Sequence, residues 1–313
     1  MAKIVVTGAA GFIGSHTVDR LLADGHHVTG IDNFRTGRRA NLDHAMRRES
    51  FRFVEGDILT SGLLLDLVRE CQADAIIHLA ALVSVPESIA QPELNRRLNF
   101  DATQVVIDAT AESSSVRRIV FASSAAVYGD SDALPLIEDS DCQPLSPYGE
   151  AKLASERLLA TFSANRPGVT SVAFRYFNVY GPRQDPSSPY SGVISRFADA
   201  LHRQESPTIN GDGEQTRDFI AVADVAQANA LAATTLNVPT SVLNLCTGRR
   251  TSLNLLLRTM AAALQRDVRP VHGPARAGDI RHSCGSPARV REVLGFTAEH
   301  DLATGLRALF SIN

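Results

Sequence analysis

Cysteine is scarce in this chain: four in 313 residues, Cys71, Cys142, Cys246 and Cys284, far apart and without a Cys-x-x-Cys pair. That spacing excludes a disulfide frame and a zinc site and reads as the reduced thiols of a cytoplasmic protein. An excess of either charge is also missing. Lys plus Arg number 31 and Asp plus Glu 34, a formal net charge of −3. Nothing in that balance favours nucleic acid or an anionic membrane as a partner. No apolar run approaches the ~18–20 residues that span a bilayer, and the N-terminus enters a strand-like run at once, with no signal-peptide pattern. Internal repeats, low-complexity tracts, long linkers, His/Cys/carboxylate clusters with metal-ligand spacing and an activated-serine elbow are all lacking. What remains is an ordinary globular composition, 44% apolar and 21% charged, with no metal expected.

The first half alternates short β-branched runs with helical apolar spacing. The pattern predicts strands near 4–7, 27–32, 51–55, 75–78, 116–122 and 171–175, and helices over 12–23, 61–69, 92–110 and 149–162. Such alternation builds βαβ units with right-handed crossovers, an α/β fold with a doubly wound parallel sheet of the Rossmann kind. After Arg175 the pattern shortens. Pro182, Pro186, Pro189 and the Gly211-Asp212-Gly213 turn break the chain, with later helices expected over 222–235, 252–265 and 302–310. The expected layout is a dinucleotide-binding domain of residues 1–175, joined by about 220–248, and a smaller interleaved α/β cap of 176–219 and 249–313 for the substrate.

Gly8-Ala9-Ala10-Gly11-Phe12-Ile13-Gly14 follows the first strand and opens the first helix. Glycines there permit a tight turn and let backbone N–H groups approach a pyrophosphate at the positive end of a helix. Asp32 ends the second strand, 18 residues after Gly14. A carboxylate at that place accepts hydrogen bonds from a ribose diol and repels a 2′-phosphate, which favours NAD over NADP. Arg35 and Arg38 stand near enough in sequence to leave NADP open. Asp57, in Gly56-Asp57-Ile58, is placed to face the adenine or to cap its strand.

Tyr148 and Lys152 are spaced i, i+4 at a helix start, so phenol and ammonium share one face. A tyrosine acting as a base near neutrality must lose roughly three pKa units, about 4 kcal/mol of preferential anion stabilisation. A lysine ammonium and an oxidised nicotinamide are positive charges that supply it. Ser123 and Ser124 follow the fifth strand, where open α/β sheets place their sites, and a hydroxyl there can share a proton with Tyr148. His78, closing the fourth strand, reads as structural or cofactor-adjacent, not as a base.

These motifs, in this order, resemble the extended short-chain dehydrogenase/reductase family in its nucleotide-sugar epimerase/dehydratase branch. The resemblance spans nearly the whole chain, through His78-Leu79-Ala80-Ala81, Asn99, Ser123-Ser124-Ala125-Ala126-Val127-Tyr128-Gly129, Tyr148 to Lys152, Arg175-Tyr176-Phe177-Asn178 and Thr216-Arg217-Asp218-Phe219. It implies an NAD contact set of Gly8, Gly11, Phe12, Ile13, Gly14, Asp32, Asn33, Asp57, Ile58, Leu79, Ala80, Ala81, Asn99, Tyr148 and Lys152. It implies that Ser124, Tyr148 and Lys152 are catalytic. Substrate contacts are implied at Ser84, Ser124, Tyr148, Asn178, Val193, Arg217, Arg276, Asp279 and Ser283. The implied reaction is C4 inversion of a UDP-sugar through a transient 4-keto sugar, with NAD retained. The small Ser283 falls where a bulky tyrosine marks members restricted to glucose and galactose. It implies the UDP-N-acetylglucosamine/UDP-N-acetylgalactosamine pair, with UDP-glucose and UDP-galactose as a further pair.

Ala125 and Ala126 stand where dehydratases and decarboxylases of the branch carry acids, so elimination of water lacks its acid. A reductase with exchanging cofactor and a non-catalytic NAD-binding regulator remain alternatives from other classes. Related enzymes pair two helices across a dimer. Here Leu94, Leu98, Val105 and Ala109, and Ala151, Ala154, Leu158 and Phe162, follow helical spacing, so a homodimer is expected, unless both stripes simply face their own sheet.

Overall fold

The computed structural model describes residues 1–184, 192–275 and 280–310. Among them, seven parallel strands form the central sheet. Six are β1 (Lys3–Thr7), β2 (His27–Asp32), β3 (Phe51–Glu55), β4 (Ala75–His78), β5 (Arg118–Ser124) and β6 (Thr170–Tyr176). The seventh, Ser241–Leu245, extends β6, and the order runs Ser241–Leu245, β6, β5, β4, β1, β2, β3. The chain winds outward from β1 to β3, then crosses back to β4 on the other side of β1. That reversal opens a crevice beyond the carboxyl ends of β1 and β4.

Alternation along each strand separates two apolar layers. Ile4 and Val6 of β1, Ile77 of β4, Val120 of β5 and Phe174 of β6 face helices α1 (Phe12–Ala23) and Val222–Thr234. Val5, Ile76, Ile119, Phe121 and Ala173 face the opposite layer, with Leu64 and Val68 of α2 (Leu63–Cys71), Val106 and Leu159. Each fully buried aliphatic side chain stabilises by ~1.5–3 kcal/mol relative to exposure.

The spacing predicts one helix over 92–110. The structure is helical there, but a wider π-type turn, Arg97–Asp101, separates Pro92–Arg96 from Ala102–Ala111. Asn99, inside that turn, donates to Leu82 O at 2.9 Å and accepts Leu82 N at 3.1 Å. A helix that keeps its pitch could not also serve this loop contact so readily, and π turns commonly occur where a side chain has such a task. Strand β5 runs on to Ser124 because Ser123 and Ser124 stay paired with Arg175 and Tyr176 of β6.

The smaller part has its own core of Tyr180, Ile194, Phe197, Leu256, Met260 and Leu306. Three two-stranded pairings surround it, the first between β7 (Asn178–Tyr180) and Phe219–Ala221. The chain is interleaved: Ser241–Leu245 joins the large sheet, and within 249–313 Val290, Leu294 and Phe296 are buried in the sheet's core, not in the cap's.

Candidate active site

A cavity of about 1070 Å³ opens over the crevice and reaches the ends of β5 and β6. Its floor is the glycine loop. Gly8 has φ +71°, and a Cβ there would lie 2.7 Å from Ala80 N; a Cβ on Gly14 would lie 1.9 Å from Gly8 O. Both close approaches require glycine. Helix α1 begins at Gly11 with no side-chain cap, which leaves its first N–H groups to a ligand anion. Asp32 stands at the end of β2. Its Oδ1 accepts Phe34 N at 2.7 Å and Oδ2 accepts Ala10 N at 2.9 Å. Burial pushes its carboxyl above the usual range, and the N–H groups of Phe34, Ala10 and Gly11 oppose that. Asp57 accepts Asn33 Nδ2 at 3.1 Å and Leu59 N at 2.9 Å. Arg35 is committed to Glu87, at 2.5 Å, which speaks against its recruitment to a 2′-phosphate. An anion cradle without side chains, beside a buried carboxylate at a strand end, fits NAD.

The helix Pro147–Asn165, which carries Tyr148 and Lys152, starts at Ser146, whose Oγ accepts Gly149 N at 3.2 Å; Pro147 follows at the first helical position. A Cβ on Gly149 would meet Ala126 O at 2.8 Å, so this glycine lets the helix start press against the loop after β5. Tyr148 thereby lines the same cavity as Ser124. Burial pushes the phenol's pKa up, and the hydrogen bond with Ser124 pulls it down. Lys152, 2% exposed, has its ammonium 4.8 Å from the centre of the Phe121 ring and 5.8 Å from that of Tyr148. Burial lowers its pKa to about 7, opposed by the Glu156 carboxylate. His78 is held neutral, its pKa lowered to about 3 by burial and then by Lys152.

Residues 4–246 match the NAD dependent epimerase/dehydratase family. A UDP-glucose 4-epimerase of Mycolicibacterium smegmatis is 39% identical over 305 residues, 97% of this chain and 96% of that protein. The chain belongs to the NAD dependent epimerase/dehydratase family. It is an enzyme of that family, and its cofactor is NAD. Two solved structures are alike along their length. A UDP-N-acetylglucosamine 4-epimerase from Methanobrevibacter ruminantium M1, in complex with UDP-N-acetylmuramic acid, superposes with a TM-score of 0.93 at 37% identity, covering 99% of this chain and 97% of that one. A UDP-glucose-4-epimerase from Stenotrophomonas maltophila, with bound NAD and formylated UDP-arabinopyranose, gives 0.92 at 30% identity, with the same coverage of 99% and 97%.

The epimerase cavity gathers most of the residues expected from sequence. Gly8, Gly11, Phe12, Ile13, Gly14, Asp32, Asn33, Asp57, Ile58, Leu79, Ala80 and Ala81, expected at the cofactor, line it, and so do Ser84, Ser124, Tyr148, Lys152 and Asn178. Ser84 also caps the helix Val85–Ala90, accepting Glu87 N at 3.0 Å. Asn99 stands behind the wall, where it braces Leu82. Val193 opens the helix Val193–His202 and packs on the cap core. Arg217 lies in the cap strand Thr216–Arg217, and Ser283 N donates to Thr216 O beside it at 3.1 Å; neither they nor Val193 lines the cavity. Arg276 and Asp279 lie outside the described residues.

Sequence reasoning missed Gly37, Asn41, Glu87 and Phe177, which the structure brings to the cavity or its rim. A Cβ on Gly37 would sit 2.9 Å from Asp32 Oδ2, and Asn41 Nδ2 donates to Ala10 O at 2.8 Å. Signals existed for Glu87, since Ser84-Val85-Pro86-Glu87 is a Ser-x-x-Glu capping pattern, and for Phe177, which lies within the Arg175-Tyr176-Phe177-Asn178 motif.

Among the described residues no group of three or more His, Cys, Asp or Glu is arranged to hold a metal, and no helix is long and apolar enough to cross a membrane.

Proposed function

We propose that this enzyme is a UDP-sugar 4-epimerase that interconverts UDP-N-acetylglucosamine and UDP-N-acetylgalactosamine and also turns over UDP-glucose and UDP-galactose. Bound NAD would supply the acceptor and donor of a hydride at the sugar C4. The chain's own residues manage the proton. Tyr148 holds and moves the proton of the 4-hydroxyl, and the Ser124 hydroxyl bridges between that oxygen and the phenol. Lys152, which shares the Tyr148 face and has a lowered pKa, supplies positive charge to the phenolate and donors to the nicotinamide ribose. Ala125 and Ala126, which follow Ser124 in a single 3₁₀ turn, bring no acid to a departing hydroxyl, which favours epimerisation over elimination. Arg217 is assigned to the diphosphate, for which a guanidinium fork is suited; Arg276 and Asp279 keep the sugar-nucleotide roles that the family resemblance implies. The described cysteines are all free thiols, in keeping with a cytoplasmic enzyme, and a homodimer belongs to the same reading.

The sugar assignment is carried by Ser283. It is hydrogen-bonded along the strand next to Arg217. Asp218 O accepts both Asn178 N, at 3.0 Å, and Asn178 Nδ2, at 3.1 Å. Ser283 is thus linked through the segment Thr216–Asp218 to Asn178, which lines the cavity; its side chain is small enough to admit a 2-acetamido group, and its hydroxyl could bond the amide. The test is incubation with each UDP-sugar without added NAD, followed by sugar analysis. Both pairs should invert at C4. Ser283→Tyr should lower turnover of the N-acetylated pair by at least about tenfold through steric exclusion and spare glucose and galactose, because an emptier pocket discriminates only modestly against the smaller sugar. Equal loss on both pairs, or an inactive wild type on UDP-N-acetylglucosamine, refutes the sugar assignment.

A further inference from the structure

One turn beyond Lys152, the helix Pro147–Asn165 carries Glu156, 4% exposed. Its Oε1 accepts the Ser123 hydroxyl. Arg175 of β6, also 4% exposed, grips both carboxylate oxygens, with Nε 3.0 Å from Oε1 and Nη2 2.7 Å from Oε2. Arg175 Nη1 donates to Glu138 O at 3.1 Å, and its guanidinium lies 4.7 Å from the centre of the Tyr128 ring. Desolvating two charges is costly, and apolar side chains of similar volume often hold a fold as well as a buried pair does. The bidentate geometry fixes direction as well as attraction.

Ser123 and Ser124 are neighbours at the end of β5 and point to different partners. Ser124 lines the cavity with Tyr148, whose pKa it pulls down, and Ser123 donates to Glu156. The strand that carries one catalytic group is therefore fastened to the helix that carries the other two. We propose that Glu156 is a positioning residue for the catalytic pair: through Ser123 it fixes the spacing between Ser124 and Tyr148, and it sets a negative charge one turn below the Lys152 ammonium. The proposal rests on the proton-transfer role given to Tyr148.

Titratable groups facing this cluster include His78 of β4, Tyr176 of β6, and Tyr128, Glu138, Asp139 and Cys142 of the segment between β5 and the helix, Asp139 being held low by Arg289. Arg289 reaches Glu138 at 3.7 Å. His78 is held neutral, and burial pushes the phenols of Tyr128 and Tyr176 and the thiol of Cys142 upward, away from ionisation. Glu156 is the carboxylate that supports the charged form of Lys152. Without it Lys152 is less often an ammonium, and the Tyr148 phenolate loses its cationic neighbour, so the Tyr148 pKa must rise.

The experiment titrates the near-ultraviolet phenolate absorbance of the NAD-loaded protein, with Tyr148→Phe as the reference that isolates Tyr148. Glu156→Gln keeps an acceptor for Ser123 but removes the charge. It should raise the Tyr148 pKa by on the order of one unit and lower kcat by about 10–100-fold. KM for the UDP-sugar should stay within about threefold, since no ground-state contact to it is lost. Because that variant leaves Arg175 unpaired, Glu156→Gln with Arg175→Met serves as the second variant and should show the same upward titration. Ser123→Ala removes only the tie and should lower kcat by roughly tenfold through misalignment, with an unshifted Tyr148 titration. An unmoved titration in both Glu156 variants, or wild-type kcat in Ser123→Ala, overturns the proposal. If the wild type turns over no UDP-sugar, the functional reading fails, and the titration still decides this one.

Discussion

At the residue scale, Thr7 and His78 form a pair whose proton the backbone places. Thr7 Oγ1 accepts Leu79 N and Ala80 N, each at 3.2 Å. Its own proton therefore goes to His78 Nδ1, 2.8 Å away, and the hydrogen bonds assign the ring hydrogen to Nε2. Protonating Nδ1 would turn two donors against each other inside the core, beside Lys152. The folded pKa of about 3 lies below the ordinary 6.5, so the native state binds fewer protons than the unfolded one between those values. Stability from this group is present above the upper value and lost as pH falls through the window, by up to ~1.4 kcal/mol per unit. His78→Asn keeps an acceptor toward Thr7 and removes the titration. The fall in unfolding free energy between about pH 6.5 and pH 4.5 should shrink by about 2 kcal/mol in that variant, measured by urea denaturation. Identical falls in the two proteins would show that His78 does not carry the acid sensitivity. The place of His78 at a strand end was legible in the sequence. Its protonation state was not, because Thr7 lies 71 positions away and only the β1–β4 pairing brings the two together.

At the scale of elements, the helix Pro147–Asn165 shows what local signals carry. Its start is written in Ser146-Pro147-Tyr148-Gly149, a capping serine, a first-turn proline, and a glycine where another chain segment crosses closely. Gly→Ala at a compatible site stabilises by ~0.4–1 kcal/mol through the unfolded chain. Here the sign should reverse, because the new methyl group would meet Ala126 O at 2.8 Å and Pro144 Cβ at 2.9 Å. Gly149→Ala should lower the melting temperature and push Tyr148 away from Ser124, with kcat falling about 10–100-fold while far-ultraviolet dichroism keeps its helical content. Wild-type kcat in this variant would mean that the loop yields and that the glycine is not needed for the approach. Inner strands of the large sheet such as β1 and β4 were legible because parallel strands covered on both faces are near-continuous apolar runs. The polar end of β5 and the π turn around Asn99 were not: Ser123 and Ser124 extend their strand by pairing with β6, and Asn99 answers to Leu82, so neither leaves a hydrophobic period. The pairing of Asn178–Tyr180 with Phe219–Ala221 joins segments too short and too distant to register in a local pattern.

At the scale of the whole molecule, the two helical stripes that motivated a homodimer part company. Val105, Leu158 and Phe162 pack on their own sheet, Ala109 is buried in that same layer, and Leu98 lines the cofactor cavity. The outward face of the helix Pro147–Asn165 is Glu150, Ala154, Arg157 and Thr161, spaced at i, i+4, i+7 and i+11, with Ala154 half-buried and the others exposed. A two-fold axis passing near Ala154 would bring a small side chain to the axis, where two copies of the helix can approach closely. It would also set Glu150 of each copy beside Arg157 of the other. An isologous contact repeats every interaction, so one substitution counts twice. Exposed pairs contribute only ~0.2–1 kcal/mol each. Turning both from attraction to repulsion should cost about 2 kcal/mol, a roughly 30-fold weaker dimer. The wild type should show a dimer mass by light scattering at micromolar protein, Arg157→Glu should shift it toward monomer, and Glu150→Arg with Arg157→Glu should restore it, because the exchanged charges again face their opposites. A monomeric wild type refutes the dimer; a dimer indifferent to Arg157→Glu places the axis elsewhere than Ala154.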